Sequence, residues 1–213
     1  MKTASIVALA MIVFAGALGC ASKPPKTTVR IPPRVDLTQL DVIGVVEFDS
    51  SSDGELGPLA TRSFTDEARR DQGLIRIAGL GSRSEALGSV EKEAWDANTF
   101  KALGSEHGVR TILTGKLTIS DARPNIRIAP SLDSGSVSAL INATLAVQLV
   151  EASSGASIWS SSASASQSVG NVSVHEGKDF VLNAKDPERV YGQLVEALVE
   201  QVTRDFKATW VRR

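Results

Sequence analysis

Cys20 is the only cysteine among the 213 residues, and it closes an apolar run near the amino terminus instead of sitting in the body of the chain. No disulfide can staple this fold, so the residues that follow must hold together through a hydrophobic core. Residues 38–213 number 176, enough for one domain with a substantial core. The run itself follows Lys2, extends from Ile6 to Leu18 and ends Ala17-Leu18-Gly19-Cys20. A positive residue, a short apolar stretch and small residues at its end are the layout of a secretory signal. The stretch is shorter than the roughly 20 apolar residues that a membrane-spanning helix needs.

The cysteine just after that site resembles the lipobox of bacterial lipoproteins, with Ala17 and Leu18 in swapped order relative to the usual Leu-Ala-Gly-Cys. The resemblance implies that the Cys20 thiol takes a diacylglycerol, that the peptide is cut before it, and that the new amino terminus takes a third chain such as palmitate. Residues 1–19 are then a signal peptide, 20–37 a lipidated cysteine with a proline-rich tether, and 38–213 a single globular domain. Three acyl chains exceed the two signals that stable anchoring takes. Ala21 stands where an aspartate would retain the protein in the inner membrane. By the sorting rules of such lipoproteins, the expected location is the periplasmic face of the outer membrane. Without Lys2 the chain carries 22 basic against 24 acidic residues, so there is no basic field to draw a nucleic acid.

The tether, Ala21 to Leu37, holds Pro24, Pro25, Pro32 and Pro33, with Lys23, Lys26, Arg30 and Arg34 between them. Proline favours extended conformations, so such a spacer reaches roughly 50 Å. Its basic residues are read as a solvated spacer, with contact to anionic head groups as the alternative.

After it, Asp41 to Phe48 is β-branched, continuous and short, the mark of a buried strand. Asp49 to Gly54 is a polar loop. Leu59, Ala60, Phe64 and Ala68 place a helix over about 57–71, stopped by Gly73. Leu74 to Ala78 reads as a second strand. Helical spacing returns near 84–90 and over 96–106, where Phe100 and Leu103 face inward and His107-Gly108 ends the helix. Val109 to Ser120 is a third strand. Ile141, Ala143, Leu145, Val147 and Leu149 alternate with Asn142, Thr144, Ala146 and Gln148, a strand with one buried face. Ser153-Ser154-Gly155 turns the chain into a returning strand opened by Ile158-Trp159. Its Ser/Ala continuation, Ser160 to Ser168, packs little area and reads as a solvent-facing edge. Asp186-Pro187-Glu188 starts a last helix whose face is Tyr191, Leu194, Val195, Leu198, Val202 and Phe206, with Lys207, Arg212 and Arg213 at its negative end. The expected fold is α/β (α+β): helices on a mixed sheet of about five strands, in the β-α-β-α-β-β-α order of anticodon-binding-like domains.

Two segments carry a family resemblance. Phe100-Lys-Ala-Leu-Gly-Ser-Glu-His-Gly-Val-Arg-Thr-Ile-Leu-Thr-Gly-Lys-Leu117 resembles a helix-turn-strand motif, and Val147-Gln-Leu-Val-Glu-Ala-Ser-Ser-Gly-Ala-Ser-Ile-Trp159 a hairpin motif. Both belong to the superfamily that joins the curli-secretion lipoproteins (CsgG), the LpoB-type activators of penicillin-binding proteins and the amino-terminal domain of TolB. Their motifs are structural. Gly115 lets a buried strand approach a neighbour, and Trp159 supplies apolar bulk with one donor to satisfy.

No motif carries chemistry. Asp49-x-Ser51-x-Asp53-Gly54 starts like a calcium loop, but Ala60 stands at the twelfth position, where a bidentate acid is required. Gly79-Leu-Gly81-Ser-Arg-Ser84 is one glycine short of a dinucleotide fingerprint and lacks its later acid. His107 and His175 have no Cys or His at metal spacing. No serine has a recognisable base and orienting acid. The chain is therefore read as no enzyme, with no cofactor and no metal.

Three roles remain. The first is an adaptor docking on an envelope protein, as LpoB-type lipoproteins dock on a peptidoglycan synthase. The second is a CsgG-type secretion subunit, whose membrane hairpins would fall at Asp121–Leu140 and Ser162–Val181. Those stretches carry prolines and charges and no apolar band with aromatic girdles. The third is a structural subunit that pairs with further copies of itself. The first is the expectation.

Overall fold

The computed structural model describes residues 28–52, 54–120, 123–128, 135–173, 181–182 and 187–212. Cys20, Asp53, His175, Asp186 and Arg213 lie outside them.

The chain divides into two units. One is a ribbon in which β1 (Thr28–Ile31) pairs antiparallel with β10 (Thr209–Arg212). The other, residues 32–208, holds a mixed sheet with helices on both faces. Its strands are β2 (Ile43–Val45), β3 (Asp49–Ser50), β4 (Ile77–Gly79), β5 (Thr111–Ile119), β6 (Arg123–Ile128), β7 (Gly135–Glu151), β8 (Ser157–Ser173) and β9 (Val181–Leu182). The order across the sheet is β4-β2-β5-β7-β8-β9, with β3 on β5 and β6 on β7. Pairs among β4, β2 and β5 are parallel, and those from β5 through β9 are antiparallel. The helices are α1 (Leu56–Gln72), α2 (Arg83–Ser89), α3 (Ala97–His107) and α4 (Pro187–Val202). The expected α/β (α+β) class and element order stand, with short additional strands.

Alternation along β5, β7 and β8 splits the side chains between two faces. Leu113, Leu117, Leu145, Val147 and Leu149 point to one, where Phe64 and Ala68 of α1 and Leu194, Leu198 and Val202 of α4 cover them. Ile112 and Val150 point to the other and meet Phe100 and Leu103 of α3 and Ala86 of α2. β2 is buried at all three residues because both of its faces are covered.

The first strand is shorter than its apolar run. Val46 N donates to Leu113 O at 3.0 Å, Glu47 N to Gly81 O at 2.8 Å and Phe48 N to Thr61 Oγ1 at 2.8 Å. Each amide finds a partner, but the partners lie on three different elements, so no ladder continues. Asp49 and Ser50, expected in a loop, pair with Lys116 and Leu117 as β3. The second strand begins three residues later than expected. Gly73, at φ 76°, ends α1 and turns the chain so that Leu74 is fully exposed while Ile75 enters the core. β6 and the outer part of β7 form a hairpin in 121–140 that no periodicity announced.

The last helix ends at Val202. Phe206 is fully buried, but from a 3-10 turn over Thr203–Phe206, and Arg212 belongs to β10 instead of to a helix end. The stretch read as a tether contains β1. Val35 N then donates to Asp205 O at 3.1 Å, and Leu37 is buried in the core.

Candidate functional site

On the face that α2 and α3 cover, the cover stops part way along the sheet. Beyond it lie Thr114, Gln148 and Ser160 in one cross-strand row, Lys116, Ala146 and Ser162 in the next, and Thr118, Thr144 and Ser164 in a third. Thr144 Oγ1 and Ser164 Oγ share a hydrogen bond at 2.9 Å, and Ser166 Oγ donates to Asn142 Oδ1 at 2.6 Å. Among the described residues, neither hydrophobic cluster includes a side chain of these three rows.

Where the cover ends, a groove of about 430 Å³ opens over the first two rows. Its wall is built from three distant parts of the chain. Arg83, at the start of α2, donates to Asp49 Oδ2 at 2.8 Å and sits 5.0 Å from the centre of the Trp95 ring. Trp95 in turn meets Phe100 edge-on at 5.1 Å, which fixes the ring against the second core. Asp49 is held by the β3–β5 pairing. Lys116 on the floor is exposed and makes no ion pair among the described residues. The groove thus offers a flat aromatic edge, one uncommitted cation, and a floor of hydroxyl and amide groups.

β8 forms the far side of the groove and is also an edge of the sheet. Among the described residues it pairs with β7 along Ser157–Val172 and with β9 only at Val172 and Ser173. From Ser157 to Asn171 its outer backbone groups have no strand beside them among the described residues, as expected for the Ser/Ala segment. Ser160, Ser162, Ser164 and Ser166 are exposed. A strand laid along this edge would find ladder partners, with alternate side chains over the groove.

The residues singled out by sequence are used locally. Ser82 Oγ accepts from Glu85 N at 3.3 Å, and Glu85 Oε2 accepts from Ser82 N at 2.8 Å. This capping box closes the N-terminus of α2 where a dinucleotide phosphate would sit, and the Ser82 amide and hydroxyl hold the Glu85 carboxyl below its ordinary value. His107 is exposed at the end of α3, 3.3 Å from Ser89 Oγ. Among the described residues no three His, Cys, Asp or Glu side chains gather as metal ligands. Gly115 admits the Phe48 ring, which would lie 2.9 Å from an added Cβ. Trp159 satisfies its donor on Asp205. The groove itself was missed. Asp49, Arg83 and Trp95 share no motif, and only the fold brings them together.

No family model matches this sequence, and no curated protein matches it. Solved structures resemble it at low identity. The PelC dodecamer from Paraburkholderia phytofirmans is 15% identical with a TM-score of 0.42, over 86% of this chain and 99% of that one. The LpoB C-terminal domain from Salmonella enterica is 12% identical with a TM-score of 0.39, over 63% and 84%. Lipoprotein GNA1162 from Neisseria meningitidis is 16% identical with a TM-score of 0.40, over 76% and 97%.

Proposed function

We propose that this chain is a lipoprotein of the cell envelope, acylated at Cys20 and held on the periplasmic face of the outer membrane, and that its domain is a non-catalytic adaptor for another envelope protein. The observation that carries this is the open edge of β8 beside the Arg83–Trp95 groove. A sheet edge free for many residues is a template for a partner's strand, and the groove gives alternate side chains of that strand somewhere to go. By the resemblance of Phe100–Leu117 and Val147–Trp159 to the LpoB-type activators, the partner expected is a peptidoglycan synthase.

The test is photo-crosslinking in living cells from position 162 on the edge, with position 106 on the exposed side of α3 as control. A penicillin-binding synthase captured from 162 and not from 106 is the expected result. Recovery of only lipids and porins from both positions ends the adaptor reading. Cys20→Ser tests the anchor separately, because the unacylated product should leave the envelope fraction.

A second reading is an oligomeric structural or secretion-associated subunit of CsgG type. It is favoured by β6 and the outer parts of β7 and β8, which run as paired strands within 121–140 and 162–181. Ring-shaped oligomers that conduct ions across bilayers would establish it, and a monomer at high concentration in sedimentation would remove it.

A further inference from the structure

A two-stranded ribbon of four residues a side buries too little to be stable alone in water. The β1–β10 ribbon is that small and leaves most of its apolar side chains uncovered. Val29, Ile31 and Val211 are each more than 40% exposed, and Trp210 is 66% exposed. Val29 stands opposite Val211, and Arg30 stands opposite Trp210. Four of the six large exposed hydrophobic residues among the described ones belong to these eight positions. Alternation sets Arg30 and Trp210 on one face of the ribbon and Val29, Ile31 and Val211 on the other, so the face to be covered around Trp210 is aromatic and basic.

Charge identifies the cover. Residues 35–206 hold 15 Lys and Arg against 24 Asp and Glu. Residues 21–34 and 207–213 hold seven basic residues and no acid. Two of the seven, Arg34 and Lys207, are engaged in ion pairs with Asp205 and Glu67. The body of the protein is thus strongly acidic, while the ribbon strands carry Arg30 and Arg212 and the segments on either side of them in sequence carry no acid. Chain length adds a constraint. β1 begins eight residues after Cys20, so the Cα of Thr28 lies within about 29 Å of the Cys20 Cα even when the link is fully extended. Exposed tryptophan beside arginine is the composition of the membrane–water interface, and juxtamembrane basic residues are drawn to anionic leaflets.

We infer that the β1–β10 ribbon is a second membrane contact, seating Trp210 and its cross-strand neighbour Arg30 at the headgroup level of an anionic bilayer. This rests on the acylation of Cys20 to bring the ribbon to the surface. The acyl chains hold the protein on a membrane, and the ribbon adds a charge-dependent contact that the acidic body cannot make.

The test uses the full processed protein, purified from envelopes and reconstituted into vesicles whose acyl chains are brominated. One set is phosphatidylglycerol, the other phosphatidylcholine. The difference in emission between the protein and its Trp210→Phe variant isolates Trp210, and the mass of the amino-terminal peptide reports acylation independently. Expected is a blue-shifted, quenched Trp210 in phosphatidylglycerol, with quenching lost in phosphatidylcholine and in Arg30→Glu. An acylated protein whose Trp210 emits as in water in both vesicles overturns the ribbon and leaves the anchor standing. Equal quenching in both vesicles overturns it too, as does a Trp210 already shielded without lipid by a second copy of the chain. Quenching in phosphatidylglycerol by a protein with a free thiol supports the ribbon and sinks the anchor.

Discussion

The indole N–H of Trp159 donates to Asp205 Oδ2 at 3.2 Å. This ties β8, the strand with the open edge, to the 3-10 turn that follows α4. The other oxygen of Asp205 accepts from Arg34 at 3.3 Å, and Phe206 packs against the Trp159 ring with centroids 4.7 Å apart. One carboxylate therefore joins the start of the domain, its edge strand and its last turn. Asp205→Ala leaves a half-buried indole donor unpaired and should cost about 1–3 kcal/mol. The measurement is the urea midpoint, which should fall with an unchanged slope. An unaltered midpoint would show that solvent replaces the carboxylate there without penalty.

Gln72 closes the same corner from α1. Its side-chain oxygen accepts from Leu37 N at 2.5 Å, and its nitrogen donates to Val35 O at 2.5 Å and to Phe206 O at 3.0 Å. An amide side chain is suited to this, since it can donate twice and accept at once. Gln72→Leu keeps the bulk and removes all three bonds. It should destabilise the domain by roughly 2–3 kcal/mol, at about 1 kcal/mol per bond. Hydrogen exchange at Leu37 should accelerate more than at Leu145 in mid-sheet. Equal acceleration at both would mean that the corner opens only with the whole domain.

Lys207 Nζ meets Glu67 Oε1 at 2.6 Å and lies 3.8 Å from Asp71 Oδ2. The hydrogen bond from Lys207 holds the Glu67 carboxyl below its ordinary value, and the same bond raises Lys207. Burial raises Asp71, which opposes part of this. A carboxyl depressed in the folded state contributes stability above its unfolded pKa and loses it as pH falls through the folded value. The raised lysine contributes below about 10.5 and loses its contribution at higher pH. Lys207→Met should therefore lower stability at neutral pH, and progressively less as pH falls through the depressed value of the Glu67 carboxyl. Thermal unfolding of both proteins across this range checks it. A difference that does not change with pH would mean that Lys207 acts through its aliphatic stem alone.

Two helix glycines predict opposite signs. A Cβ on Gly192, inside α4, meets nothing within 4 Å, so Gly192→Ala should stabilise by about 0.5–1 kcal/mol through helix propensity. A Cβ on Gly57, in the first turn of α1, would lie 2.2 Å from Phe48 O. The propensity gain there is no larger, and the clash is with backbone that cannot rotate away. Gly57→Ala should destabilise by about 1–3 kcal/mol. Calorimetry on the pair decides, and stabilisation by both would show that the Phe48 segment moves freely.

These relationships differ in how far the sequence announces them. Leu194, Leu198 and Phe64 could be placed because helix period and apolar spacing agree, and the even alternation from Ile141 to Leu149 fixed which face of β7 is buried. The open edge was legible in the bare Ser/Ala pattern. Leu74 was misplaced because a local run of apolar residues does not reveal where Gly73 aims the chain. The strand through Phe48 was drawn too long for a related reason: its amides leave the ladder for Gly81 O and Thr61 Oγ1, which are set by tertiary placement. The wall of the groove had no local signal at all. Asp49 waits on a β3 pairing, Arg83 on a helix start, and Trp95 on a ring contact with Phe100.

That wall gives the sharpest functional prediction. Arg83 is 44% exposed at its side chain and Asp49 35%, so their ion pair and the stacking on Trp95 each contribute at most about 1 kcal/mol to folding. Arg83→Ala should lower the melting temperature by only a few degrees. Ser162→Lys, on an exposed edge position, should leave it nearly unchanged, since surface substitutions stay within about ±0.5 kcal/mol. If a partner strand pairs with β8 and rests its side chains in the groove, each change should strongly reduce crosslinking from position 164. A lysine blunts an edge against pairing, and loss of Arg83 strips the guanidinium from the wall beside Asp49 and Trp95. Lys101→Ala, on the exposed side of α3, should leave the crosslink intact. Undiminished capture in both variants at normal folding would place the partner elsewhere on the domain.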